Sequence, residues 1–115
     1  MTPIAGPRLG TAFYAEYLPG GISSAGYRDR VSHHLDLMVE VGISVIRVGE
    51  SVWSTWEPRD GTFDLEWLTP VLDGAHERGL EVILGTPTYA IPPWLQRKHP
   101  ELAVVRTDGS RVAWG

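Results

Sequence analysis

No cysteine occurs in the 115 residues, so neither a disulfide nor a thiolate metal site can form within this chain. That composition fits a reducing cytoplasm. Nor does any apolar run approach the roughly 20 residues that a bilayer-spanning helix requires. The opening MTPIAGPRLG holds no apolar core of signal-peptide length. A soluble, unsecreted, cytoplasmic protein without a membrane partner is therefore expected. Positive charge is sparse: 10 Lys and Arg stand against 14 Asp and Glu, a net of −4, and no basic cluster exceeds Arg97-Lys98. Without an electrostatic footprint for phosphate backbones, a nucleic-acid partner is not expected. Metal ligands are scarce too. The adjacent His33 and His34 would diverge by about 100° on a helix and have no ligand four residues on, so solvation is their expected role. His76 and His99 read as a helix-face and a loop residue. No metal or cofactor is expected.

What is present is alternation. Hydrophobic residues make up 43% of the chain, which argues against disorder and for a buried core. Val31, Leu35, Met38 and Val39 fall at offsets 0, 4, 7 and 8, which predicts an amphipathic helix over 28–41, with Gly42 placed for a left-handed end. A β-branched run at 43–48 follows, as in a strand of a parallel sheet covered on both faces. Pro and Asp-Gly turn signals fill 57–64. Leu68, Val71, Leu72 and Ala75 then restore helical spacing until Gly79, and 80–84 is a further strand. Counting 11–14 as the first strand, the order is strand, helix, strand, helix, strand. Residues 91–95, IPPWL, suit a rigid loop or the first turn of a helix, and Thr107-Asp108-Gly109 a hairpin tip.

VGISVIRVG (41–49) and RGLEVILGT (78–86) share a glycine, an aliphatic residue, a polar one and then Val-Ile, at a shift of 37 residues (41 to 78). A βα repeat of this size points to a parallel sheet with helices outside it. A doubly wound sheet and a (β/α)₈ barrel both fit. The doubly wound reading is weakened by the turn after the first strand, AEYLPGG, which carries neither GxGxxG nor GxxxxGKS. In a barrel the C-terminal strand ends open onto one mouth, where charge faces ligand and water. Arg47 and Glu50 would sit at such an end, Tyr14 and Glu16 follow the first strand, and Thr86 and Tyr89 the third. Trp53, Trp56 and Trp94 lie in the following loops. Rings interleaved with carboxylates suit a sugar, whose C–H faces stack while its hydroxyls bond to acids. Two plainer readings stand beside this one: Arg47 and Glu50 as a structural ion pair, and Trp53 and Trp56 as core. Packing is the expected job of Trp67.

The segments GTAFYAEYLPGG, GISVIRVGESVWSTWEPRDGTFDLEWL and GLEVILGTPTYAIPPWLQRKHPEL together resemble the opening of the catalytic barrel of glycoside hydrolase family 42, the β-galactosidases. The elements R-x-G-E, W-S-x-x-E-P-x-x-G-x-F-D and G-T-P-T-x-x-x-P-x-W-L carry the likeness, which runs from about Gly10 to Gly115. Two positions depart from it: Ala15 stands where the family has proline, and Leu18 where it has tryptophan. The resemblance implies an α/β fold, the N-terminal portion of a (β/α)₈ TIM barrel with about three of eight βα units, residues 1–115 forming one incomplete catalytic domain. It implies a retaining β-galactosidase acting on terminal galactose of β-galactosides, homo-oligomeric at full length. The acid/base glutamate would follow strand four and the nucleophile strand seven, neither of them in this chain, so no catalytic residue is assigned here. Arg47, Glu50 and Glu16 are the implied substrate-binding set, Arg47 as partner of the nucleophile. Another retaining β-glycosidase of the same barrel clan and a non-catalytic carbohydrate-binding domain are the alternatives.

Overall fold

The computed structural model describes residues 6–112. Three parallel strands, β1 (Gly10–Ala12), β2 (Val45–Val48) and β3 (Glu81–Leu84), form one sheet in the order β1-β2-β3. Helices α1 (Tyr27–Glu40) and α3 (Thr69–Glu77) make the two crossovers, and the short α2 (Trp53–Trp56) and α4 (Pro93–Lys98) lie in the segments after β2 and β3. The elements expected from sequence are all present. β1 starts one residue earlier and ends two earlier than the spacing suggests, because Phe13 keeps one ladder bond to the Arg47 carbonyl while the chain already turns into a 3₁₀ turn at Ala15–Tyr17.

Helix α1 buries Tyr27, Val31 and Leu35, one residue per turn on a single face. Val39, expected on that face, is exposed. Both crossover helices end in the same way. Gly42 (φ 87°) follows α1 and Gly79 (φ 69°) follows α3; Ile43 then donates back to the Met38 carbonyl and Leu80 to that of Ala75. This is the long-range bond of a glycine helix stop, and it repeats at the 37-residue shift seen in the sequence (42 to 79).

Register fixes the two faces of the sheet. Thr11, Ile46 and Val82 form one row, and Ala12, Arg47 and Ile83 the next. Ile46 and Val48 are fully buried on the first face, whereas Ala12, Arg47, Glu81 and Ile83 are exposed on the second. Pairing of β2 with β3 runs at an offset of 36 residues (Val45 to Glu81) while the sequence repeat runs at 37. From β2 to β3 the chain therefore climbs by one residue, a stagger of the kind that closing a barrel requires.

The chain divides into two compact units. The first holds the three strands, α1 and α3. The second consists of Gly49–Leu65 and the residues from Thr86 on, the segments that follow β2 and β3 in the chain. In it, Thr62 donates to the Arg59 carbonyl across Gly61 (φ 76°), and Asp64 to that of Trp56. Pro93 opens α4, as the IPPWL stretch allows, and a Val105–Arg111 bridge closes over Gly109 (φ 83°), the expected hairpin tip.

Candidate functional site

In the first unit Arg47 projects from the open face of β2, flanked in register by Ala12 and Ile83. A charge is tolerated in this strand because alternation sends Ile46 and Val48 to the covered face and Arg47 to the uncovered one. Glu16 lies in the 3₁₀ turn directly after β1. Both of its carboxyl oxygens are closed off from solvent and meet no partner with hydrogen-bond geometry among the described residues. Burial pushes the Glu16 carboxyl above the usual carboxylate range, with its own backbone amide opposing part of that rise. Tyr27 is buried at the start of α1 and donates to the Trp67 carbonyl at 2.8 Å. Desolvation, with the Glu16 charge adding to it, moves the phenol up to about 12. His34 stacks on Phe13 with ring centroids 6.2 Å apart, so it packs rather than standing in solvent.

Glu50 belongs to the second unit, between Gly49 (φ 85°) and Ser51 (φ 56°). Ser51 is the one non-glycine residue with left-handed backbone among the described residues, and such strain concentrates where a chain presents functional groups. The sequence-derived set is thus split: Arg47 and Glu16 share the first unit, and Glu50 is in the second.

The second unit is organised by a residue that the sequence reading placed at the start of a turn and within the W-S-x-x-E-P element without giving it a role. Glu57 is 8% exposed, the one charged residue in the core of the described chain. Its Oε2 accepts from Trp53 Nε1 at 2.8 Å and its Oε1 from the Gly61 amide at 2.9 Å, while its backbone carbonyl accepts from Trp94 Nε1 at 2.7 Å. The available signal was the four-residue spacing of Trp53 and Glu57, which on a helical turn brings both side chains to one side. Trp56 and Trp67 differ: their indole nitrogens are buried without a partner among the described residues, and Trp67 sits in the core as expected. The Lys98–Asp60 ion pair, 2.6 Å and exposed, also joins the two segments of this unit. No group of three or more His, Asp or Glu able to hold a metal occurs among the described residues, and none of their helices is long and apolar enough to cross a membrane.

A family model described as beta-galactosidase matches residues 23–115. A β-galactosidase of Arthrobacter sp. is 43% identical over 81 residues, and one of Thermus thermophilus 34% identical over 107. These alignments cover 70% and 93% of this chain but 12% and 15% of those proteins. Among solved structures, the β-galactosidase of the psychrophilic Marinomonas ef1 superposes with a TM-score of 0.79 at 39% identity, over 95% of this chain and 15% of its own. A catalytic mutant of a GH42 β-galactosidase from G. stearothermophilus gives 0.78 at 31%, over 94% and 15%. The chain therefore spans about a seventh of the length of the relatives it matches, and its three βα units are the α/β architecture of their barrels.

Proposed function

The chain belongs to glycoside hydrolase family 42, the β-galactosidases, and from that premise we propose that it supplies the opening section of the catalytic barrel of an enzyme that releases terminal β-galactose with retention of configuration. The observation that carries this reading is the exposed face of β2, where Arg47 stands in register between Ala12 and Ile83. Retention requires two carboxyl groups about 5 Å apart on either side of the glycosidic bond. The family places them after strands four and seven, so the three strands here supply binding and charge rather than the dyad.

Arg47 would lie beside the nucleophilic carboxylate and favour its ionised form, as a fixed guanidinium does for a neighbouring acid. Glu50 would accept from a sugar hydroxyl. Glu16, the third residue of that set, has both carboxyl oxygens closed off from solvent, so it would act on the sugar through the turn after β1 in which it is buried rather than by touching a hydroxyl. We further place the enzyme in the cytoplasm, on its cysteine-free segment, and expect a homo-oligomer acting on β-galactosides. The test is to assay the enzyme carrying this segment on nitrophenyl β-galactoside, β-glucoside and β-mannoside, with the product anomer followed by NMR. Preferential release of β-galactose is the expected result. Preference for another sugar would move the enzyme to a different specificity of the same clan, and inversion would overturn the mechanism.

A further inference from the structure

We propose that Tyr14 and Tyr17 form a stacking subsite for the leaving sugar of a β-galactosyl disaccharide, and that Arg30 is the positioning residue that holds their loop in place; the substrate class rests on the functional reading above. Every residue of this subsite belongs to the first unit. The two rings are neighbours in the segment after β1, with centroids 6.1 Å apart and planes inclined at 36°. Tyr14 is 41% exposed and Tyr17 74%. Adjacent exposed rings mark a contact surface, and rings with a polar tip suit a pyranose, whose C–H face stacks while its hydroxyls bond outward. Register selects which pyranose. Ala12 pairs with Arg47, and Phe13 still donates to the Arg47 carbonyl at 2.8 Å, so both tyrosines follow the row that the functional reading gives to the ring whose bond breaks. Strands of a barrel run outward to its mouth. With the terminal galactose in the inner place, the next ring out is the leaving sugar.

The loop that carries the tyrosines is built to stay still. Tyr17 donates to the Tyr14 carbonyl, and single-turn bonds continue from Leu18 to Ala15, Gly21 to Leu18, Ser24 to Gly21 and Tyr27 to Ser24, all at 3.0–3.3 Å. Gly20 (φ 87°) and Gly21 (φ 73°) supply the left-handed backbone these turns need. Arg30, in the first turn of α1, closes the series: its Nη2 donates to the Ser24 hydroxyl, which donates to the Gly21 carbonyl at 2.9 Å. The guanidinium also fills the space beside two glycines. A Cβ at Gly20 would stand 2.8 Å from Nη2, and one at Gly26 2.5 Å from Nη1. Ala15 stands in this segment in place of the family's proline, and the Arg30 staple supplies the restraint that a fixed φ would give. A loop ordered in advance binds its ligand without the cost of ordering it then.

The experiment compares lactose with methyl β-galactoside, which lacks a leaving sugar, in the full enzyme. Tyr17→Ala should raise KM for lactose roughly three- to tenfold relative to KM for methyl β-galactoside, the size of one aromatic contact. Tyr17→Phe keeps the ring and should stay near wild type. Arg30→Ala should give the same split as Tyr17→Ala, with the turnover number kept. Gly26→Ala should do so too, because its backbone (φ −89°) accepts a side chain while the added Cβ displaces the guanidinium. Either one combined with Tyr17→Ala should be little worse than Tyr17→Ala alone, since both act through that ring. Arg28→Ala removes an exposed charge from the same helical turn and should leave the ratio of the two KM values unchanged. Equal changes on both substrates, a loss in Tyr17→Phe as large as in Tyr17→Ala, or additive losses in the combined variants would each overturn the proposal. So would a lower Tm in Arg30→Ala and Gly26→Ala without the split in KM, the result a purely structural arginine would give. Wild type that hydrolyses neither galactoside would instead overturn the functional reading and this subsite with it.

Discussion

At the residue scale, the exposed and the buried charges lead to opposite expectations. Arg47 is exposed on its strand, so Arg47→Met in the full enzyme should leave folding intact while removing the charge-assisted bond to the nucleophile proposed above. The cost expected is about 2–4 kcal/mol of transition-state stabilisation, roughly 30- to 1000-fold in rate. Turnover should fall more than binding, as steady-state kinetics would show; an unchanged turnover number, or a variant that fails to fold, would favour the structural ion pair. Glu16 works through stability instead. Its folded-state affinity for a proton exceeds that of the unfolded chain, so the folded state binds more protons and stability declines as pH rises from about 4.5, the ordinary glutamate value, through the higher folded value. Glu16→Gln removes that proton equilibrium and should flatten the decline, giving a higher Tm than wild type at neutral pH and a smaller difference at pH 4. A melting series across that range checks the sign. The identity of Arg47 and Glu16 as strand-end groups was legible because their neighbours spell out strands. Glu57 was legible only in part: its four-residue spacing from Trp53 could be read, but not the Gly61 amide or the Trp94 indole that converge on it in space.

At the element scale, helix positions were the most legible feature. A stripe of apolar residues and a glycine stop are local, and Gly42 and Gly79 adopt the left-handed geometry their place in the pattern suggests. Less legible was how closely the two helices approach. A Cβ added at Gly74 of α3 would stand 2.7 Å from the Leu35 Cδ1 of α1, and Leu35 is wholly buried. Gly74→Ala should therefore destabilise by about 1–3 kcal/mol through overpacking, despite a helix-propensity gain of up to about 1 kcal/mol. Combining it with Leu35→Val should recover part of the loss, and chemical denaturation of the two variants would show it. The same layer contains the Tyr27 hydroxyl on the Trp67 carbonyl. Tyr27→Phe leaves that carbonyl unpaired in the core and should cost about 1–3 kcal/mol. Strand ends were read less well than helices, because a three-residue β1 is set by its ladder with β2 rather than by its own composition.

At the scale of the whole molecule, the parallel sheet explains both what the sequence revealed and what three strands leave undone. The 37-residue repeat was visible because each βα unit must turn, cross and return in the same way; the one-residue climb that distinguishes a closing barrel from an open sheet depends on pairing and could only be seen in the register. β1 and β3 each have one neighbour, and Ile83 and Leu84 are 55% and 48% exposed on β3. Open ladder edges beside apolar side chains favour association. The 115-residue chain purified alone should therefore be poorly soluble or oligomeric, and a stable monomer with sharp cooperative melting in sedimentation and calorimetry would contradict this. It should also show no measurable hydrolysis of nitrophenyl β-galactoside. A retaining reaction needs a nucleophile and a proton donor on opposite sides of one bond, and Glu16 and Glu50, the only strand-end pair available, are a buried acid after β1 and a turn residue of the second unit. Assaying the chain beside its Glu16→Gln, Glu50→Gln double variant separates the possibilities. Turnover that vanishes in the double variant would place the dyad on these strands and reassign the role of every residue proposed here for binding.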